Sequence, residues 1–266
     1  MTPEQIATAA EALFLAERDG RQIGLLSRQF PAMTLNDAYA VQAALVARKE
    51  AAGRRRIGWK IGLTSRAMQA ALGIDTPDSG VLFDDMLFAD GATVPPGHFI
   101  QPRIEAEIAF VMKAPLAGET ITRGDVLAAT SHVAPALEIL DTRILRTDPR
   151  TGAARVITDT VSDNAANAGL VLGTRRHAPA AVVLRRVGAI LSRDGVVEET
   201  GLGAGVLGDP VAGIVWLVQR LARYGQGVGA GEVLLSGSFI RPVEAPPGSR
   251  FHADFGDFGQ VRIGFD

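Results

Sequence analysis

Two glutamates stand two residues apart in a run that otherwise reads as an apolar strand, Arg103-Ile-Glu-Ala-Glu-Ile-Ala-Phe110. Successive side chains of a strand point to opposite faces, so Glu105 and Glu107 lie on one face and the aliphatic residues on the other. A third carboxylate, Glu138, stands in a similar run, Pro135-Ala-Leu-Glu-Ile-Leu140. Burying unpaired carboxylates is costly, so the pattern predicts that the three glutamates share a bound cation.

The chemical type of these side chains indicates which cation would bind. The chain has no cysteine, and carboxylate oxygens alone favour a hard ion, Mg²⁺ or alternatively Mn²⁺, over zinc or copper. Another explanation is that the acids are partly exposed partners of Arg103 and Arg143, which are close in sequence. Such surface ion pairs are common and contribute less than ~1 kcal/mol.

A lysine and an aspartate could complete a catalytic site. Lys60 stands in Gly58-Trp-Lys-Ile-Gly-Leu-Thr-Ser65, where the apolar neighbours predict a buried strand. Because desolvation lowers the pKa of an ammonium group, Lys60 beside a metal site is predicted to transfer protons near neutral pH; an exposed strand lysine is the alternative. Asp78, in Thr76-Pro-Asp-Ser-Gly80, reads first as a turn residue and alternatively as a general base.

Short polar side chains concentrate in two further places, Thr160–Gly169 and Ser236–Ser238. Ser162, Asn164 and Ser238 could hold a substrate carboxylate through hydroxyl, amide and backbone N–H groups. Equally, these side chains could bond to their own backbone, as short polar residues in loops often do.

Composition excludes several classes of function. The 266 residues are 47% hydrophobic and 21% charged, which is ordinary for a globular protein. A net charge of −2 without a basic run beyond Arg54–Arg56 argues against nucleic-acid binding. The beginning of the chain lacks the features of a signal peptide, and no stretch reaches the ~20 apolar residues that span a membrane. We expect a cytoplasmic protein with no membrane partner.

The first part of the chain is predicted to be helical. Thr2 and Gln5 form a capping box for a helix to about Arg18. A second helix is expected from Thr34 to a stop at Gly53. We expect residues 1–55 to form an N-terminal helical unit and residues 56–266 a β-rich catalytic domain.

The rest of the chain reads mainly as short strands. The predicted strands are 57–63, 80–82, 104–112, 133–140, 182–192, 196–199, 232–235, 250–254 and 260–265, with a hairpin turn at Asp194-Gly195. Further helices are predicted at Ser65–Leu72, closed by Gly73, after Thr122, and from Asp209 to Gly225. Strands outnumber helices without regular alternation, which predicts an α+β fold rather than a Rossmann sheet or a TIM barrel. No nucleotide-binding glycine motif follows a strand into a helix.

Together these motifs resemble a known family. Gly58–Ser65, Pro77-Asp-Ser-Gly80, Pro102-Arg-Ile-Glu-Ala-Glu107, Pro135-Ala-Leu-Glu138 and Asp159–Gly169 resemble the hydratase/decarboxylase branch of the fumarylacetoacetate hydrolase superfamily, over nearly the whole chain. Thr64–Gln69 and Ser162–Gly169 are most similar to hydratases that act on a seven-carbon 2-oxo diacid.

The resemblance implies a mixed β-rich fold, a large homo-oligomer and a Mg²⁺ ion held by Glu105, Glu107 and Glu138. It also implies a catalytic lysine at Lys60 and an acid at Asp78. Water addition in the meta-cleavage breakdown of aromatic compounds is the expected activity. A six-carbon 2-oxo diacid decarboxylase, a five-carbon hydratase and a non-catalytic 2-oxo-acid-binding subunit are the alternatives.

A diacid substrate brings a second carboxylate into a site that already holds three acids, so a distal cation is needed. Arg66 follows the Lys60 strand and is the first candidate. Arg143 and Arg146 follow the Glu138 segment and are the reserves.

Overall fold

The structure is a computed structural model that describes residues 1–72 and 74–266. The α-helices of this part of the chain are α1 Pro3–Arg18, α2 Leu26–Gln29, α3 Leu35–Ala51, α4 Arg66–Leu72, α5 Arg123–Ala129, α6 Ile157–Ser162 and α7 Pro210–Ala222. The β-strands are β1 Arg56–Gly62, β2 Asp78–Phe83, β3 Leu87–Phe88, β4 Thr93–Val94, β5 Arg103–Met112, β6 Thr130–Leu140, β7 Asn167–Leu172, β8 Gly188–Arg193, β9 Val196–Leu202, β10 Val233–Leu235, β11 Val243–Glu244, β12 Arg250–Asp254 and β13 Gln260–Phe265. Among these described helices, none has the length and apolar character needed to cross a membrane.

The strands form two mixed sheets. The larger sheet has the order β2-β1-β10-β5-β6-β7-β3, with β11 added to β5, and the smaller one has the order β4-β13-β12-β8-β9. Most neighbours are antiparallel, whereas β1 and β10, β3 and β7, and β4 and β13 are parallel. This irregular mixture of strands and helices is the predicted α+β class.

The N-terminal helices begin where their caps predict. The Thr2 hydroxyl accepts a hydrogen bond from Gln5 N–H, and Thr34 accepts one from Asp37 N–H, so both helices start with a capping box. Their apolar sides share a core cluster of buried residues: Ala9, Ala10, Leu13, Leu25, Leu26, Val41, Leu45 and Ile144. Ile144, which follows β6, also belongs to this cluster, so the N-terminal helices share their core with a later part of the chain. The predicted domain boundary at residue 55 stays a prediction.

Strands β5 and β6 position the glutamates. In the antiparallel ladder Glu105 lies directly opposite Glu138, and Glu107 lies opposite Ala136. The alternate residues Ile104 and Ala106 are fully buried in the main core. Period-two alternation therefore anchors one face of the pair in the core and turns all three carboxylates to the other face.

Two segments differ from the sequence-based expectations. The predicted strand 182–192 begins only at Gly188, because local turns replace the ladder: Arg186 N–H donates to Val183 O, and Val187 N–H to Leu184 O. The polar run after Thr160 is not simply a loop, since it contains the end of α6 and the start of β7. The predicted helix end at Gly73 lies outside the described residues.

Candidate active site and metal centre

Three glutamates from β5 and β6 converge at one point. One carboxylate oxygen from each of Glu105, Glu107 and Glu138 lies within 4.8 Å of the others. Glu107 and Glu138 are fully buried, and Glu105 is partly buried. The structure therefore brings together the three acids that the sequence predicts as metal ligands.

Most oxygens of the two buried glutamates accept no hydrogen bond within the described residues. Within the described residues, Glu107 Oε1 and both oxygens of Glu138 lack a hydrogen bond, whereas Glu107 Oε2 accepts one from Gly237 N–H at 2.8 Å. Unpaired buried carboxylates are costly, so their oxygens are suited to an ion. Three carboxylates without nitrogen or sulfur donors fit a divalent cation such as Mg²⁺.

The cluster is electrostatically strained. Burial, followed by the charge of Glu138, raises the pKa of Glu105 to about 8. Burial and the neighbouring carboxylates also raise the pKa of Glu107 well above its usual range, and burial raises the pKa of Glu138. A bound cation would offset both the burial and the mutual repulsion.

The two arginines that could have neutralised the acids have other partners. Arg103 Nε donates to Glu244 at 2.6 Å, and Arg143 Nε donates to the buried Asp163 at 2.5 Å. In the part of the chain that the structure describes, neither arginine forms an ion pair with the three glutamates. The surface ion-pair explanation of the glutamates is therefore wrong.

Lys60 lies beside the glutamates, on β1. Its Nζ is 3.4 Å from Glu138 Oε1 and 4.0 Å from Asp78 Oδ1, and the side chain is buried. Burial by itself would lower the pKa of Lys60, but Glu138, Asp78 and the other two glutamates raise it above its usual range. The expectation of a lowered pKa is therefore wrong, because nearby negative charge outweighs desolvation.

Asp78 is part of the same buried group. It is the first residue of β2, where it pairs with Gly62 of β1, so the first interpretation, a turn residue, is wrong. Burial raises the pKa of Asp78, and Lys60 partly counteracts that effect. Its Oδ1 has no hydrogen-bond partner among the described residues, which leaves it available for proton exchange.

The hydroxyls of the predicted substrate ligands Ser162 and Ser238 bond to backbone carbonyl oxygens, and Ser238 Oγ also lies 3.4 Å from Ala106 O of β5. Ser162 Oγ donates to Thr158 O at 2.8 Å, and Ser238 Oγ donates to Ile240 O at 2.9 Å. These are the local backbone bonds that the sequence left open as the alternative. A role of either serine in substrate binding stays a prediction.

Asn164 and Arg66 differ from each other in exposure. Asn164 is fully buried. Its Oδ1 accepts a hydrogen bond from Val81 N–H at 2.8 Å, and its Nδ2 donates to Val81 O at 2.9 Å. Arg66 is exposed at the first position of α4, which Gln69 anchors by donating to Leu63 O at 2.6 Å. Substrate binding by either residue stays a prediction.

Sequence reasoning missed three contacts that support the site, two from backbone groups and one an ion pair. Gly237 N–H donates to Glu107, Ala165 O lies 3.5 Å from Lys60 Nζ, and Asp163 pairs with Arg143. The polar runs at 160–169 and 236–238 were the available signal for them. Backbone groups and long-range partners are not encoded by residue type, so the pattern indicated the segments but not the atoms.

Individual known proteins resemble the chain over nearly its whole length. No model of a known protein family matches the chain. It is 48% identical over 256 residues to a 2-oxo-hept-4-ene-1,7-dioate hydratase of Escherichia coli, covering 96% of each chain. It is 42% identical over 266 residues to a 2-keto-4-pentenoate hydratase of Paraburkholderia xenovorans, covering 100% of this chain and 97% of the other.

Solved structures of other proteins have the same fold. The 4-oxalocrotonate decarboxylase from Pseudomonas putida G7, complexed with magnesium and adipate, superimposes with a TM-score of 0.94 at 36% identity and covers 100% and 99% of the two chains. A yeast fumarylacetoacetate hydrolase family protein has a TM-score of 0.54 at 14% identity, with 78% and 91% coverage, and shares the fold alone.

The chain belongs to the family of hydratases and decarboxylases that these relatives represent, and it shares the fold of fumarylacetoacetate hydrolase family proteins. The predictions of this family, of its mixed β-rich fold and of an enzyme of the hydro-lyase class are confirmed. A non-catalytic binding subunit is thereby set aside.

Proposed function

We propose that this enzyme is a Mg²⁺-dependent hydratase of aromatic meta-cleavage catabolism that converts 2-oxohept-4-ene-1,7-dioate to 4-hydroxy-2-oxoheptanedioate. The buried cluster of Glu105, Glu107 and Glu138 beside Lys60 carries the proposal, because these groups suit a 2-oxo acid and its proton transfers. The 48% identity to a hydratase named for this substrate supports the seven-carbon chain length.

The metal would be held by the three glutamates. The oxygens of Glu107 and Glu138 that accept no hydrogen bond, together with the raised pKa values of the cluster, fit Mg²⁺, and Mn²⁺ has the same ligand preference. When bound, a divalent ion supplies positive charge that polarises a substrate oxygen. Glu107 is kept in place by the N–H group of Gly237.

Lys60 and Asp78 would move the protons. The substrate reacts as its dienol, 2-hydroxyhepta-2,4-dienedioate. The O2 proton is removed and a proton is added at C5, which gives the conjugated 2-oxo-3-ene. Lys60 is charged and can donate, whereas the free Oδ1 of Asp78 can accept. Water then adds its oxygen to C4 and a proton to C3, and the product is one water heavier than the substrate.

The distal carboxylate needs a cation outside the buried cluster. Of the three candidates, Arg143 is committed to Asp163, and Arg146 donates to Glu244 at 2.6 Å. Arg66 is exposed and lies four residues after the end of β1. We therefore assign the distal carboxylate to Arg66.

A decarboxylase is the second candidate. It is favoured by one observation, the TM-score of 0.94 to the 4-oxalocrotonate decarboxylase crystallised with magnesium and adipate. That enzyme's substrate would lose CO₂ where the proposed substrate gains water, and the same buried groups could serve both reactions. Hydration of a five-carbon 2-oxopentenoate is the related alternative, since the chain is 42% identical to such a hydratase.

The deciding experiment is a spectrophotometric assay of dienoate loss on five-, six- and seven-carbon substrates, with EDTA and then Mg²⁺ or Mn²⁺ added back. We expect the highest kcat/KM on the seven-carbon diacid, loss of activity with EDTA and recovery with Mg²⁺. Because a transition-state interaction is removed, Glu107→Gln should lower kcat by at least about 100-fold. CO₂ release from 2-oxo-3-hexenedioate at a higher kcat/KM would instead identify a decarboxylase.

A further inference from the structure

The segment after α6 has an unusual backbone. Asn164, Ala165 and Ala166 are consecutive non-glycine residues with φ values of 51°, 53° and 56°. Left-handed conformations cost L-residues roughly 1–2 kcal/mol each, least for asparagine. Three in a row persist only where surrounding contacts impose them, and such strain gathers at functional sites.

Asn164 fastens this segment to the edge of the larger sheet. Its Oδ1 accepts Val81 N–H at 2.8 Å, and its Nδ2 donates to Val81 O at 2.9 Å. A Cβ at Gly80 would lie 2.4 Å from Asn164 O, so the segment sits directly against β2. The amide thus replaces the missing neighbour of edge strand β2 and fixes the segment on it.

The ends of the segment are held by one buried arginine. Arg143 Nη2 donates to Asp163 O at 2.7 Å, and Nη1 donates to Asn167 O at 3.1 Å. Arg143 N–H and Nε also bond to the Asp163 carboxylate, at 2.8 and 2.5 Å. The side chains of Arg143 and Asp163 are both buried, so the segment from Asp163 to Asn167 has little freedom.

What this rigid segment presents to the site is the carbonyl group of Ala165. Its oxygen lies 3.5 Å from Lys60 Nζ. An ammonium has three N–H groups. Glu138 and Ala165 O take two of these N–H groups. The third can donate to Asp78 or to the substrate.

We propose that Asn164 is a positioning residue for Lys60: by clamping β2 it fixes the left-handed segment, and so the Ala165 carbonyl that orients the ammonium. The proposal rests on the proton-transfer role of Lys60 in the proposed function. It also replaces direct substrate binding as the role of Asn164, because both polar atoms of its side chain are occupied by Val81.

The test is Asn164→Gly, which removes the clamp but leaves the left-handed conformation accessible. We expect kcat for dienoate hydration to fall by about 10- to 100-fold, as for a misplaced catalytic group. KM should change by less than about threefold, because uniform binding is retained. Mg²⁺ affinity, measured by calorimetry without substrate, should remain that of the wild type.

The matched control is Asn167→Ala. Asn167 Nδ2 donates to the same Val81 O at 3.0 Å, but the residue has an ordinary φ of −72°. We expect this variant to keep kcat within about threefold of the wild type. Equal losses of kcat in the two variants, or a wild-type kcat in Asn164→Gly, would overturn the positioning role.

A second variant decides the matter if Asn164→Gly does not fold. Gly80→Ala adds the Cβ that would press on Asn164 O, so it should shift the segment and lower kcat with little change in KM. Gly173→Ala is its control, since the added Cβ would meet Pro135 Cγ at 2.7 Å and Gln260 O at 2.8 Å. Similar kcat values in the two alanine variants would contradict the proposal, whereas a wild-type protein without hydratase activity would contradict the proposed function.

Discussion

Glycine at position 62 illustrates how single residues set the distances in the site. A Cβ there would lie 2.3 Å from Asp78 Oδ1 and 2.8 Å from Lys60 Nζ. The absence of a side chain therefore allows the amine and the carboxylate to share one buried space. The sequence predicted both polar residues, but it gave no sign that the glycine at the end of β1 lets them lie so close together.

At the residue scale, the first prediction concerns Arg66. Replacing the exposed guanidinium with Arg66→Ala should raise KM for the seven-carbon diacid by about tenfold, because one charged hydrogen bond is lost. KM for the monoacid 2-hydroxypenta-2,4-dienoate should stay near the wild-type value. Steady-state kinetics on both substrates provide the measurement.

The control for Arg66 is Arg185→Ala, which removes another exposed arginine, in a short turn before β8. It should leave both KM values unchanged. If Arg66→Ala raises KM equally for the diacid and for the monoacid, the assignment of the distal carboxylate to Arg66 is wrong.

At the element scale, helix caps and strand alternation were predictable and long-range supports were not. Thr2 and Thr34 start α1 and α3 as expected, because a capping box is a local pattern. Helix α6 was missed, since its Asp159 is held by Ser27 of α2, at 2.7 and 2.8 Å. Such contacts join residues 132 positions apart and leave no local signature.

Helix α1 is joined to the rest by a buried charge network. Glu17 Oε2 lies 2.6 Å from Lys49 Nζ, whose side chain is fully buried, and Glu17 Oε1 lies 2.5 Å from Arg54 Nη1. Arg143, which holds the Asp163–Asn167 segment, lies 3.9 Å from Glu17. Burial alone would raise the pKa of Glu17, but Lys49 and Arg143 lower it to about 2.

This network predicts a pH-dependent stability. A carboxyl group whose pKa is lower in the folded state contributes stability above its unfolded pKa of 4.5, and that contribution is lost as the pH falls toward 2. Glu17→Gln should therefore lower the free energy of unfolding at pH 7 by on the order of 2–3 kcal/mol. The difference from the wild type should shrink between pH 4.5 and pH 2. Urea unfolding at a series of pH values measures it.

Glu11→Gln is the matched control on α1. Glu11 pairs with Arg48 at 2.7 Å, but both side chains are well exposed, so the loss should be much smaller. A pH-independent deficit in Glu17→Gln, or equal deficits in both variants, would contradict the role of the network.

At the scale of the whole molecule, the larger sheet assembles the site from strands far apart in sequence. Lys60 on β1 and the glutamates on β5 and β6 are separated by β10, which enters the sheet from the C-terminal part of the chain. The distance between amine and acids therefore depends on strand order. A homo-oligomer and a cytoplasmic location concern the same scale and stay predictions.

Metal binding should stabilise the entire fold. The buried carboxylates repel one another, so an ion that binds only the folded state should raise the Tm by about 5–10 °C at saturating Mg²⁺. EDTA should reverse the shift. Differential scanning calorimetry of the wild type and of Glu107→Gln tests this, and an equal Mg²⁺ shift in both proteins would count against the metal centre.

The sequence alone determined which acids share a face, because strand alternation is a local property of the chain. It also predicted a hard divalent cation, because ligand chemistry follows from residue type, and it indicated Lys60 and Asp78 as candidate catalytic residues. Only the tertiary structure decided that Glu105 faces Glu138 across the ladder, that Arg143 is committed to Asp163, and that four carboxylates raise the pKa of Lys60. These outcomes depend on strand order and burial, which bring together residues that no local pattern relates.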